Sequence, residues 1–166
     1  MIGLRLVRLI ERHSAEIAKN LTQQIRTSPR TSSIRKIPEI EVQSWTQGLL
    51  QHLSEWLLNK TGSDIEACYR ELGAARASQD VRLADVCWAM TFTKEHIWSF
   101  LQKQGFPRTP VELYGEMELL WLINQFFDRA ICYIVEGYEQ STPSKVQTEE
   151  PSEPKYREVN LAAWVP

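Results

Sequence analysis

Proline placement constrains this chain more than any other feature. Prolines stand at 29, 38, 107 and 110 and then at 143, 151, 154 and 166, leaving long proline-free blocks and a proline-studded tail. A proline within a helix removes a backbone donor and clashes with the preceding turn, so each one marks a boundary. Inside the blocks, apolar residues recur at helical spacing, and no stretch shows sustained strict alternation with hairpin turn signals. The pattern predicts an all-α chain, with a single five-helix bundle over residues 1–140 and a disordered tail over 141–166.

The first helix is expected over residues 2–28. Leu6, Ile10, Ile17 and Leu21 form its apolar side, while Arg5, Arg12, Lys19 and Arg26 recur every seven residues opposite, with Arg8 beside them. Residues 27–36, rich in Ser, Thr and basic side chains, are expected to be a mobile connection. Pro38, with Glu39 and Glu41, suits the first turn of a second helix, where its missing N–H is spare and acids meet the positive end of the dipole. That helix should reach about Lys60 and stop at Thr61-Gly62. Ser63 and Asp64 suit the cap of a third helix running to about Ala77, and Asp80 the cap of a fourth over 81–104. Thr109-Pro110-Val111-Glu112 combines a capping-box pattern with proline at the first helical position, so a fifth helix begins there and reaches about Tyr138. The fourth and fifth helices are apolar on more than one side, which predicts central positions with neighbours on several sides.

A chain of 166 residues that is 43% hydrophobic, with six Trp, five Phe and five Tyr, can bury a core without help from disulfides or a metal. Cys68, Cys87 and Cys132 are odd in number and lack metal-ligand spacing, which points to a reducing, cytoplasmic setting. Arg5, Arg8 and Glu11 break up the N-terminal apolar run, so no secretory signal is expected. The most apolar stretch, residues 117–127, carries Glu118, Asn124 and Gln125 and falls short of the ~20 residues a membrane helix needs. Charge is uneven: residues 1–36 hold eight basic side chains against Glu11 and Glu16, a local +6 in a chain of net −2, which leaves −8 elsewhere. Such asymmetry suits an acidic partner or the packing of one end of the protein on the other.

Arg76-Ala77-Ser78-Gln79-Asp80, followed by Leu83, resembles the turn between two helices in the N-terminal domain of RsbRD-type stress-signalling proteins, which also fronts some bacterial sensor kinases. The family turn reads Arg-Ala-x-Gln-Gly. Asp80 stands in place of its glycine, Lys94 roughly where a second arginine is usual, and Met90 near a position where an acid is usual. The similarity extends through Glu139, with Phe126, Asp128 and Ala130 in a suitable last helix. The resemblance implies a helical regulatory or sensory module that catalyses nothing. In multidomain relatives an output domain follows this module, whereas fewer than 30 residues follow Tyr138 here, so a stand-alone version is expected, with the tail as output element.

Several surfaces and sites compete for function. Leu161, Trp164 and Val165 form an apolar terminal segment suited to docking in a groove of another protein or of a second copy, or to folding back on the bundle. The basic stripe of Arg5, Arg8, Arg12 and Lys19 could meet an acidic protein face. It lacks interleaved aromatics and a base-reading set, and the chain is acidic overall, which argues against nucleic acid. An alternative is a sensor holding a small apolar ligand or haem near Phe92, His96, Trp121 and Phe126. Arg76, Gln79, Asp80 and Arg82 are read as stabilising the turn. No two histidines have the spacing of a zinc helix, and no nucleophile elbow or phosphate-cradling glycine loop occurs, so neither catalysis, a metal nor a resident cofactor is expected. The expected role is a cytoplasmic, non-enzymatic regulatory module that binds a protein partner, with wide apolar faces that also allow a homodimer.

Overall fold

The computed structural model describes residues 3–104 and 109–142. Six α-helices run in order: α1 (Gly3–Arg12), α2 (Ser14–Thr27), α3 (Glu39–Gln51), α4 (Gly62–Ser78), α5 (Leu83–Lys103) and α6 (Pro110–Ser141). A 3-10 helix (Pro29–Lys36) joins α2 to α3, and a π-helical turn (Glu55–Asn59) lies between α3 and α4. The described residues contain no strand. The described residues are therefore all-α, and among them the five expected helices are corrected to eight helical pieces.

Two of the extra pieces come from kinks at histidines. The first expected helix breaks at His13 (φ −102°, ψ 15°) and the second at His52 (φ −115°, ψ 27°). Neither kink carries glycine or proline, so nothing local announces it; contacts to distant residues set both. The His13 ring lies 5.2 Å from that of Phe100 on α5. Glu11, just before the first kink, accepts a hydrogen bond from the Ser54 N–H just after the second, at 2.7 Å.

The connection expected to be mobile is instead built into the core. Ile34 and Ile37 are buried, and the fully buried Thr31 donates its hydroxyl to the Ile25 carbonyl at 2.7 Å. Arg35 donates to the Arg26 carbonyl at 2.8 Å, and Arg26 returns bonds to the Arg35 and Ile37 carbonyls. The Ser, Thr and Arg side chains that made this stretch look like a loop satisfy its backbone groups.

Helix starts were partly legible. Thr109 and Glu112 close the expected capping box on α6. At α4 the cap is Thr61, not Ser63 or Asp64: its hydroxyl accepts from the Asp64 N–H at 3.2 Å, and the Asp64 carboxylate accepts from the Thr61 N–H at 2.9 Å. Thr61-Gly62, expected to stop one helix, begins the next.

The closest helix pair is α4 with α6. Gly73 lies against the backbone of Ile134 and Tyr138, and Gly137 against that of Arg70, so residue numbers rise on one helix as they fall on the other: the pair is antiparallel. Arg70 bridges Glu136 across it. Tyr69, Phe126, Phe127 and Trp56 pack ring to ring beside this crossing. Around them Ile10, Leu21, Leu50, Met90, Ile97 and Ile134 are fully buried and join every α-helix except α4 to the same core, which Ile65 and Tyr69 of α4 complete.

Candidate functional site

The turn between α4 and α5 gathers polar side chains from several elements. Its backbone closes the end of α4 in a Schellman arrangement: the Asp80 N–H donates to the Ala77 carbonyl and the Val81 N–H to the Arg76 carbonyl, both at 3.1 Å. This geometry places Asp80 at φ 53°, in the left-handed region. Asp80 thus ends α4 and does not cap α5, a correction to its expected role. Its side chain pairs with Lys36, which also donates to the Asp80 carbonyl at 2.8 Å. The hydrogen bond from Lys36, and then its charge, hold the Asp80 carboxyl below the usual range.

Arg82 stands at the N-cap of α5 without a side-chain cap bond of its own. Ser33, from the 3-10 helix, meets the N-cap residue from outside: its hydroxyl accepts the N–H of Arg82 itself at 3.0 Å. Asp85, only 1% exposed, accepts from both the N–H and the hydroxyl of Ser33 at 2.8 Å, and Arg82 Nε lies 3.7 Å from it. The buried Arg76 donates to Glu41 on α3 at 3.0 Å and to Gln79. The Arg30 guanidinium lies 4.0 Å above the Trp88 ring, and the Tyr138 hydroxyl donates to the Val81 carbonyl at 2.8 Å. These groups tie the turn and the first half of α5 to the 3-10 helix, α3 and α6.

Arg5, Arg8, Arg12 and Lys19 are exposed, but the kink at His13 divides them between α1 and α2. Arg26, last in the same row, is turned to structural use beside Glu39, at 3.8 Å. The four residues considered for a ligand belong to different surroundings. Phe92 is buried against the Trp88 ring, whereas Phe126 is buried among Trp56, Tyr69 and Phe127. His96 shares its Nδ1 with the Phe92 carbonyl at 2.9 Å, and Trp121 is 58% exposed. Among the described residues, no three His, Cys, Asp or Glu side chains are grouped to hold a metal ion. Leu161, Trp164 and Val165 lie outside the described residues. Lys94, in the position compared with a family arginine, lies 3.3 Å from Asp128 and joins α5 to α6.

One surface was missed by sequence reasoning. The N-terminal half of α6 buries Gly115, Leu119 and Ile123 but leaves Val111, Leu113, Tyr114, Met117 and Trp121 facing outward. Tyr114, Met117 and Trp121 are 71%, 62% and 58% exposed, and their spacing of three and four residues sets them in one row along the helix. The helix has the neighbours expected on several sides, in α1, α4 and α5, but none of them covers this row. The signal lay in a run too apolar for a helix with one buried face. A contiguous exposed row of large apolar and aromatic side chains is uncommon on a solvent-facing helix.

No helix among the described residues is long and apolar enough to cross a membrane. No curated protein and no solved structure matches the chain. The model of one family, the RsbT co-antagonist protein rsbRD N-terminal domain, matches residues 15–149, and the chain belongs to that family.

Proposed function

We propose that this protein is a cytoplasmic stress-signalling regulatory module that acts by binding a protein partner and catalyses no reaction. Membership of the rsbRD N-terminal family supports the regulatory class. The observation that carries the partner-binding part is the outward row of Tyr114, Met117 and Trp121 on α6, flanked by Val111 and Leu113. Tyr, Trp and Met are the side chains enriched at the centres of protein interfaces, where their area is buried at low entropic cost. The polar clusters, by contrast, are consumed in holding the α4–α5 turn and the 3-10 helix. The exposed basic residues Arg5, Arg8, Arg12 and Lys19 offer a second, electrostatic contact that would steer an acidic face toward the molecule.

The test is site-specific photocrosslinking in the cells the protein comes from, with the reactive side chain at position 117 and, as control, at exposed Ser44 on α3. A discrete crosslinked protein from position 117 and none from position 44 is the expected result. Failure to form any product at position 117 would remove the partner-binding reading.

A further inference from the structure

We propose that the arginine row of α1 is the docking site for an acidic helix of a partner protein, one that carries carboxylates on successive turns. The proposal rests on the reading of this chain as a protein-binding module and adds the chemistry of the partner.

Arg5, Arg8 and Arg12 recur at three and four residues on α1, so they fall in one row about 10 Å long. All three are exposed, while Val7 and Ile10 on the opposite side of the helix are buried in the core. Among the described residues, none of the three has an ion pair or a hydrogen-bond partner for its side chain. Glu11, the one acid of α1, is taken up by the Ser54 N–H at 2.7 Å. Other arginines of the fold are put to internal use: Arg26 and Arg35 hold carbonyls, Arg70 and Arg76 hold carboxylates, and Arg30 covers a tryptophan face. Like charges one turn apart destabilise a helix, so the α1 row weakens the free protein and returns no contact within it. An anion arriving from outside accounts for that cost.

The surroundings of the row narrow the kind of anion. Guanidinium groups pair two-pronged with carboxylates and with phosphates. A helix that binds an anionic membrane sinks its apolar face into the lipid, and that face of α1 is already taken by the core. Nucleic acid is disfavoured by the net charge of −2 and by the absence from α1 of any aromatic or amide side chain to stack on or read a base. Carboxylates on a protein helix fit better. Half-buried Leu4 and Leu9 border the row on its two sides, where they would exclude water from the pairs and strengthen them. Acids at three- and four-residue spacing on the partner would meet the arginines in step. Lys19 lies beyond the kink at His13, on α2, and stands outside the site.

Fluorescence anisotropy of the full chain at low salt tests this, with two labelled helical peptides of equal composition as probes. One carries three glutamates in a row at three- and four-residue spacing, and the other carries them spread round the helix. The row peptide is expected to bind about tenfold more tightly than the spread one. Arg5→Gln, Arg8→Gln and Arg12→Gln should each weaken it about fivefold, and Lys19→Gln should leave it unchanged. Arg8→Gln should also raise the melting temperature, because it removes repulsion from both neighbours. A fall in melting temperature would assign Arg8 to holding the fold and overturn the proposal. Equal binding of the two peptides, or binding that survives all three substitutions, would overturn it as well. Tighter binding to phosphatidylserine vesicles or to duplex DNA than to the row peptide would overturn it in favour of a lipid or nucleic-acid partner. If neither peptide binds while position 117 still crosslinks to a protein, the docking assignment falls and the partner-binding function stands.

Discussion

Asp80 sits in a left-handed turn position that ordinarily favours glycine, because only glycine lacks the Cβ that crowds the following carbonyl. Aspartate is among the few other residues that visit this conformation, and here Lys36 anchors it. The substitution of Asp for the family glycine is thus explained by the turn it occupies. A few residues on, Ser33 does the part of a capping box that accepts the N-cap residue's own N–H, at Arg82, and Asp85 holds Ser33 in place. Removing the carboxylate by Asp85→Ala leaves two half-buried donors of Ser33 unmatched and should cost about 2 kcal/mol in urea denaturation, with Ser33→Ala costing about 1 kcal/mol. The double variant should fall short of the sum by about 1 kcal/mol, since both act through the same bonds. Additive losses would show that Ser33 and Asp85 are not coupled.

Helix α6 is two elements in one. Its second half is pressed against α4 at backbone distance, and its first half presents the apolar row. The close approach depends on Gly73 and Gly137, where a Cβ would stand 2.9 Å from the Tyr138 nitrogen and 2.7 Å from the Arg70 Cα respectively. Because the obstructing atoms are backbone, no side-chain rotation relieves the overlap. Gly73→Ala and Gly137→Ala should each lose about 3 kcal/mol or more, at the upper end of what overpacking costs. Gly48, within α3 and with nothing inside 4 Å of the same added carbon, should gain about 0.5–1 kcal/mol as alanine because glycine loses more chain entropy on folding. Chemical denaturation midpoints for the three variants check the contrast. A neutral Gly137→Ala would mean that α4 and α6 separate easily.

Over the whole molecule, the carboxyls held below their ordinary range contribute to the acid side of the stability curve. Asp80 is lowered chiefly by the hydrogen bond from Lys36, and Asp64 by the hydroxyl and N–H of Thr61. A carboxyl more acidic when folded than when unfolded stabilises the fold above the ordinary aspartate value of 3.8, and that contribution disappears as pH falls through the folded value. Both side chains are exposed, so the effect is a modest one. Thermal melting of wild type and Lys36→Ala should therefore differ near neutral pH and converge below about pH 3.8. A difference unchanged at pH 2 would assign the role of Lys36 to its bond with the Asp80 carbonyl instead.

Much of this architecture was legible from residues alone. Proline spacing and helical periodicity specify an all-α chain, Thr109-Pro110-Val111-Glu112 marks the start of α6 to the residue, and Arg76 to Asp80 marks the family. These are local properties: a cap, a boundary or a helical period is decided by neighbours within a turn or two of chain. The kinks at His13 and His52, the ordering of the 3-10 helix by Asp85 and the burial of Gly73 and Gly137 depend on residues tens of positions away, and no local pattern encodes them. The same holds for the surface that matters most here. Periodicity shows that α6 is apolar on two sides, but which side faces α1, α4 and α5 and which faces outward was decided only when those helices packed and covered one of them.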